Sequence, residues 1–179
     1  MDKIIINILK KIEKNGFDAY IVGGYVRNKV IGVFSSDVDI CTNALPKDII
    51  NIFKLDKNTK VHYGCVNIKT KKYNIDITTY RKESDYENHH PKTEYITDLK
   101  TDLKRRDFTC NSLIMDSNLN IIDYYDGIKD INNKIIKCVG STKNKLKEDP
   151  VRILRAIRFA TIYDFSIDKE IIEFINNNK

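Results

Sequence analysis

The chain has 179 residues, room for one domain or for one domain and the beginning of a second. Apolar residues make up 41% and charged residues 31%, which fits a soluble protein with its own core, and no stretch approaches the length of a membrane-spanning helix. The formal net charge of +6 permits a polyanionic partner without requiring one.

In chain order, Ile4, Ile5, Leu9 and Ile12 recur at helical spacing before the stop at Asn15-Gly16, so the chain opens with an amphipathic helix. Ala19-Tyr20-Ile21-Val22 reads as a short strand ending in the turn Gly23-Gly24, and Tyr25–Val30 as a helix. Asp37–Cys41 is a strand. Thr42-Asn43-Ala44-Leu45-Pro46 leads into a helix over Asp48–Phe53. Val61–Ile68 and Tyr73–Thr79 read as strands on either side of the basic turn Lys69–Lys72. The polar stretch Lys82–Thr97, with Asn88-His89-His90-Pro91, reads as a mobile loop whose adjacent histidines have no third metal ligand nearby. Leu99–Arg106 is a helix, and Ser112–Met115, Ile121–Asp123 and Ile135–Val139 are strands. From Lys143 the pattern turns helical, with Leu146, Ile153, Leu154, Ile157 and Ala160 as one apolar stripe, a break near Tyr163-Asp164-Phe165 and a last helix from Lys169. The expected architecture is α/β (mixed α+β): a mixed sheet flanked by helices over residues 1–140, then a helical module over residues 141–179.

The cysteines Cys41, Cys65, Cys110 and Cys138 are scattered. Their spacing suggests neither a zinc site nor a disulfide framework. With no leader-like pattern in Met1–Asn7, a reducing, cytoplasmic setting is expected.

Four clusters carry candidate chemistry. In the first, Asp37 and Asp39 stand at i and i+2 of a strand, so both carboxylates share one face roughly 7 Å apart. Such a pair repels itself unless a cation lies between, and rigid oxygen ligands suit Mg²⁺. Upstream, Gly23-Gly24 leaves backbone N–H groups before a helix, where a phosphate can sit, with Arg27 close behind. A phosphate cradle beside a hard-cation site implies nucleotidyl transfer; Asp-x-Asp alone fits a solvated strand end as well.

In the second cluster, Asp76 is either a third carboxylate facing the pair, completing a two-metal site, or a residue on an exposed strand face, and Arg81 either binds phosphate or packs on the sheet. The third cluster holds Arg105, Arg106 and Asp107, suited to phosphate and ribose or to a helix-end ion network. In the fourth, Asp149 and Arg152 are i, i+3 neighbours on a helix with Arg155 beyond, either a surface ion pair or an edge for reading a base. A carboxylate accepting from an exocyclic amine beside a guanidinium donating to a ring nitrogen fits cytosine and adenine. Uracil and guanine reverse that pattern and leave buried groups unpaired.

Together, Gly23–Asn28, Asp37–Asp39, Thr79–Arg81, Arg105–Thr109 and Glu148–Arg152 resemble, in order, the motifs of the class II tRNA nucleotidyltransferases (CCA-adding enzymes) and the related bacterial poly(A) polymerases. The likeness runs from about Tyr20 to Phe165 and includes Asp123–Gly127. It implies a polymerase-beta-like head to about residue 140, with Asp37 and Asp39 as Mg²⁺ ligands and Gly24 and Arg27 on the triphosphate. Arg106 and Asp107 would hold sugar and phosphates. Asp149, Arg152 and Arg155 would form an amino-acid template for CTP and ATP at the start of a helical neck. Lys82–Thr97 would be the flexible loop that helps switch from C to A. The implied reaction adds C and A to the 3′ end of tRNA or another RNA; poly(A), A-only or CC-only addition, and a non-catalytic nucleotide- or RNA-binding module, are the alternatives. Asn28 replaces the family's usual aspartate, and Lys137 and Lys145 stand where arginine is common. Such relatives continue into tRNA-gripping body and tail domains, so a second subunit is one expected source of them.

Overall fold

The computed structural model describes residues 3–87 and 90–178. The elements run α1 (Lys3–Glu13), β1 (Ala19–Val22), α2 (Gly24–Ile31), β2 (Asp37–Thr42), α3 (Pro46–Phe53), β3 (Cys65–Lys69), β4 (Asn74–Thr79), β5 (Arg81–Glu87), β6 (His90–Tyr95) and α4 (Leu99–Lys104). There follow β7 (Ile114–Met115), β8 (Ile121–Ile122), α5 (Gly127–Asn132), β9 (Ile135–Ile136), α6 (Thr142–Glu148), α7 (Val151–Tyr163), β10 (Ser166–Ile167) and α8 (Lys169–Asn177). Six strands form one mixed sheet in the order β3-β4-β2-β1-β7-β8, in which only β2 and β4 are parallel.

Alternation along the strands divides the sheet into two faces. Ile21, Val38, Ile40, Val66, Ile75 and Ile77 point into the main core, where Ile5, Leu9 and Ile12 of α1, Val26 of α2 and Ile49 of α3 join them. The opposite face carries Asp37, Asp39 and Asp76 at one end. Next to them on that face Val22, Cys41, Tyr80, Leu103 and Ile114 form a smaller apolar cluster. The acidic end stays open because β2 begins there with its carboxylates exposed.

The helical C-terminal part is joined to this sheet. β10 pairs in parallel with β9, Phe159 packs edge-on against Phe108 at 5.9 Å, and Ala156 and Ile171 enter the main core. Asp123 fixes the entry to α5: its carboxylate accepts from the N–H groups of Tyr125, Gly127 and Ile128. Gly127 is obligatory at that point, since a Cβ would lie 2.4 Å from the Thr109 carbonyl oxygen.

Several expectations are corrected. Residues Lys82–Thr97 are not one irregular loop: β5 and β6 form an antiparallel hairpin in which Lys82 faces Glu94. Its ladder sets polar residues opposite one another, Lys82 with Glu94 and Glu83 with Thr93, so no apolar alternation reveals it. The Asn88-His89 step of that stretch lies outside the described residues. The strand predicted from Val61 starts only at Cys65, because Tyr63 and Gly64 take positive φ in a tight turn. The strand predicted over Ile135–Val139 is the two-residue β9, followed by a single bridge from Cys138 to Phe108. The short helix α5 had no periodic signal. The stripe on α7 is also divided. Leu154 and Ile157 are 67% and 47% exposed, and the buried positions of that helix are Arg152 and Ala156.

Ile77 sits at the centre of this architecture, paired with Ile40 and Val66 and fully buried. Ile77→Ala is expected to lower unfolding free energy by about 2–5 kcal/mol, as a cavity in a well-packed core does, measured by urea denaturation.

Candidate active site

The open acidic end is built where β1 runs into α2. Gly23 has φ +73° and ψ −132°, a conformation costly for any side chain, and α2 starts without a side-chain cap. A Cβ on Gly23 would lie 3.3 Å from an Arg106 guanidinium nitrogen and 3.7 Å from the Asp39 Oδ2. Glycine, arginine and aspartate therefore converge on one point. Register places Asp39 directly beside Val22 on β1 and Asp76 on β4, and Asp37 beside Asn74. Asp76 accepts a hydrogen bond from Asn67 at 2.6 Å. Among the described residues no three acidic, histidine or cysteine side chains converge closely enough to hold a metal by themselves.

The two arginines of the third cluster diverge. Arg105 turns to Asp102 (2.9 Å) and Glu83 (2.9 Å), whose charges outweigh the effect of burial and raise its pKa above the usual arginine value. Arg106 turns to the site. One of its nitrogens lies 3.7 Å from Asp102, and its Nε is buried without a hydrogen-bond partner among the described residues. Arg81 does not reach the site. It grips Glu83 at 2.8 Å and donates to the Tyr63 carbonyl, and its own N–H donates to Asp102. Glu83 and Asp102, which sequence patterns did not single out, thus tie the hairpin and α4 to the Arg105-Arg106 step.

Beside Arg106 lies a cavity of about 410 Å³ lined by Arg105, Arg106, Asp107, Asp149, Arg152 and Arg155. The structure therefore brings the third and fourth clusters together, with one correction. Asp149 is not on a helix with Arg152: it is extended, ahead of Pro150, and its carboxylate accepts from the Val151 N–H at the start of α7. Arg152 is buried, donating to Glu148 (3.0 Å) and to the Lys145 carbonyl (2.7 Å), so its guanidinium holds α6 to α7. Arg155 binds Asp107 at 2.6 Å, and the other Asp107 oxygen accepts from the Phe108 N–H and Asn111.

Arg27 is set apart from this cavity. Its guanidinium is almost fully buried over the rings of Tyr163 (4.5 Å) and Phe159 (5.0 Å), bonded to the Tyr163 hydroxyl, Asn28 and Asn111. The Asn28 amide oxygen also accepts from Tyr163, so a neutral acceptor does there what a carboxylate would. Tyr163 lies 136 positions from Arg27, and no local signal could have linked them.

Residues 19–137 match the family described as the poly A polymerase head domain. The chain belongs to this family. It is 42% identical over 168 residues to the CCA-adding enzyme of Staphylococcus haemolyticus (strain JCSC1435), covering 93% of this chain but 42% of that protein. The Bacillus stearothermophilus CCA-adding enzyme in complex with CTP superposes with a TM-score of 0.87 at 33% identity, over 99% of this chain and 44% of that one. A tRNA nucleotidyltransferase complexed with a primer tRNA and an incoming ATP analogue gives 0.74 at 30% identity, over 95% and 49%. The chain thus spans less than half the length of these relatives.

In this poly A polymerase head domain the acidic edge is electrostatically frustrated. Protein atoms around the base of Asp39 strip part of its hydration and raise its pKa, Arg106 opposes that rise, and Asp76 and Asp37 add to it. A carboxylate strained in this way is suited to a hard cation, and Mg²⁺ characteristically uses one or two carboxylates and completes its shell with phosphate oxygens and water. The pair Asp37 and Asp39 fits that role without a third protein ligand. Two outcomes follow. A ¹³C titration of the Asp39 carboxyl should show a midpoint above the ordinary aspartate value, and Arg106→Ala should move it higher still, because the charge favouring ionisation is gone. Gly23→Ala should cost about 1–3 kcal/mol of stability by thermal or urea unfolding, from backbone strain alone.

Proposed function

We propose that this chain is the catalytic head, residues 1–140, and the first helices of the neck, residues 141–179, of a template-independent RNA nucleotidyltransferase of the CCA-adding kind. The observation that carries this reading is the convergence of Gly23, Arg106 and Asp39 at the open end of the sheet, with Asp37 on the same strand face. The names and bound nucleotides of the similar proteins support it.

In the proposed reaction the 3′-hydroxyl of tRNA, or of another RNA, attacks the α-phosphate of CTP or ATP. A P–O bond forms to the 3′ oxygen, the bond to the β-phosphate breaks, and pyrophosphate leaves with that electron pair. Mg²⁺ held by Asp37 and Asp39 would neutralise phosphate charge in this displacement. Asp76, beside Asp39 and kept in place by Asn67, stands on the β4 side of the pair, away from the glycine turn, and would lie nearest the arriving hydroxyl if the RNA enters from that side. Gly23-Gly24 and the terminal guanidinium nitrogen of Arg106 that lies against Gly23 receive phosphate oxygens. Asp107 and Arg155 flank the sugar, and Asp149 accepts from the exocyclic amine of cytosine or adenine in the adjoining cavity. Arg27 and Arg152 act on the nucleotide through the elements they lock together, and Arg81 through Glu83. Rate enhancement comes from positioning and charge.

Asp37→Ala and Asp39→Ala are each expected to reduce incorporation of labelled CTP at least a thousandfold while CTP binding, followed by equilibrium dialysis, persists. Wild-type turnover by either variant refutes the site. Asp149→Ala should relax discrimination against UTP and GTP in the same assay. Supplying CTP and ATP separately to tRNA lacking its last three nucleotides separates CCA addition from A-only or poly(A) addition. Magnesium-dependent pyrophosphate release excludes a purely binding role.

A further inference from the structure

The nucleotide cavity and the phosphate cradle lie on one side of Asp37 and Asp39. On the other side the same face of the sheet continues through β4 and β3, and its register sets out two rows. Asp39, Asp76 and Asn67 are aligned across three strands, and so are Asp37, Asn74 and Lys69. Neighbouring strands are about 4.8 Å apart, so the Lys69 backbone stands about 10 Å from that of Asp37.

Beyond Lys69 the turn to β4 adds Lys71 and Lys72, giving three lysines in four residues. The turn is pinned: the Thr70 N–H donates to the Tyr73 carbonyl, the Thr70 hydroxyl accepts from the Tyr73 N–H at 2.9 Å, and Tyr73 is buried with the Lys72 amine 5.3 Å from its ring. Lys69 and Lys71 are exposed and make no ion pair among the described residues. Asp37, Asn67, Asn74 and the three lysines line a surface cavity of about 620 Å³ that opens beside the catalytic edge.

Packing does not require the charge of Lys69 or Lys71. Three lysines carried on this pinned turn beside two amides form a track for a polyanion, and the track ends at the aspartates. We propose that the Lys69–Lys72 turn binds the terminal phosphodiesters of the RNA whose 3′-hydroxyl is extended, leading that end across Asn74 and Asn67 to Asp37 and Asp39. The inference rests on the reading of the site as an RNA nucleotidyltransferase. It adds which surface of the head receives the primer: the part of that sheet face lying beyond the aspartates, on the β4 and β3 side. A strand laid there presents its end to the carboxylates from the β4 side, while the triphosphate occupies the β1 side. The two polyanions then meet only at the cation.

The test is RNA binding by the wild-type chain and by the triple variant Lys69→Ala/Lys71→Ala/Lys72→Ala. The probe is a 5′-fluorescein RNA ending in single-stranded ACC, followed by anisotropy across a salt series. Each phosphate contact on a single strand contributes about 0.7 to the slope of log K against log salt. The triple variant should therefore lose about 2 units of slope and bind at least tenfold more weakly at low salt. Its CTP affinity should stay within twofold of wild type. A control removing Lys3, Lys10 and Lys14, in and just after α1 on the covered side of the sheet, should keep the wild-type slope. Equal slopes for the wild type and the turn variant, an equal loss in the α1 control, or no RNA binding by the wild type each overturns the proposal. The two readings fail separately. RNA binding through the turn without magnesium-dependent pyrophosphate release defeats the reaction and leaves the track standing; pyrophosphate release with an unchanged slope defeats the track alone.

Discussion

Holding Asp37, Asp39 and Asp76 on one sheet face is the constraint around which the rest of this structure is arranged. Like charges on adjacent strands repel, and the partial loss of hydration around Asp39 makes its ionised form costlier. The fold answers with a guanidinium from far along the chain. Arg106 arrives after α4, against the one residue without a Cβ that stands in its way, Gly23. The positive φ at Gly23, the uncapped start of α2 and the buried Arg106 Nε all follow from bringing backbone, cation and carboxylate to one point.

A second tier of ion pairs holds that first one in position. Asp102 and Glu83 occupy Arg105 and Arg81, which leaves Arg106 as the arginine of its cluster that turns to the aspartates. Asp107 occupies Arg155, and Glu148 with two backbone carbonyls occupies Arg152. Most of the arginines in the recognised motifs therefore fix one element against another. Among these arginines the charge left for a ligand is a small remainder, concentrated at Arg106.

The sheet was legible because its strands are short, apolar and bounded by glycine or charged turns, and because alternation put Asp37 and Asp39 on one face. Motif order located the cavity residues Arg106, Asp107, Asp149, Arg152 and Arg155. Sequence spacing failed where partners are distant or polar. The hairpin of β5 and β6 sets polar residues such as Lys82 and Glu94 opposite one another, which look like loop composition in one dimension. Spacing placed Asp149 and Arg152 on one helix, but Pro150 ends the first and begins the second. Arg27 reads as a ligand-facing residue behind a glycine turn, while its actual neighbours are Phe159 and Tyr163.

That aromatic seat for Arg27 has a consequence for how the molecule can be divided. A permanently charged group loses its hydration when buried, and here the compensating rings and hydroxyl belong to α7. Severing the chain after the sheet would strand that charge in a greasy socket open on one side. The segment that bears the acids and the segment that bears the aromatic seat are therefore one cooperative body, inseparable by a cut that sequence composition alone would invite.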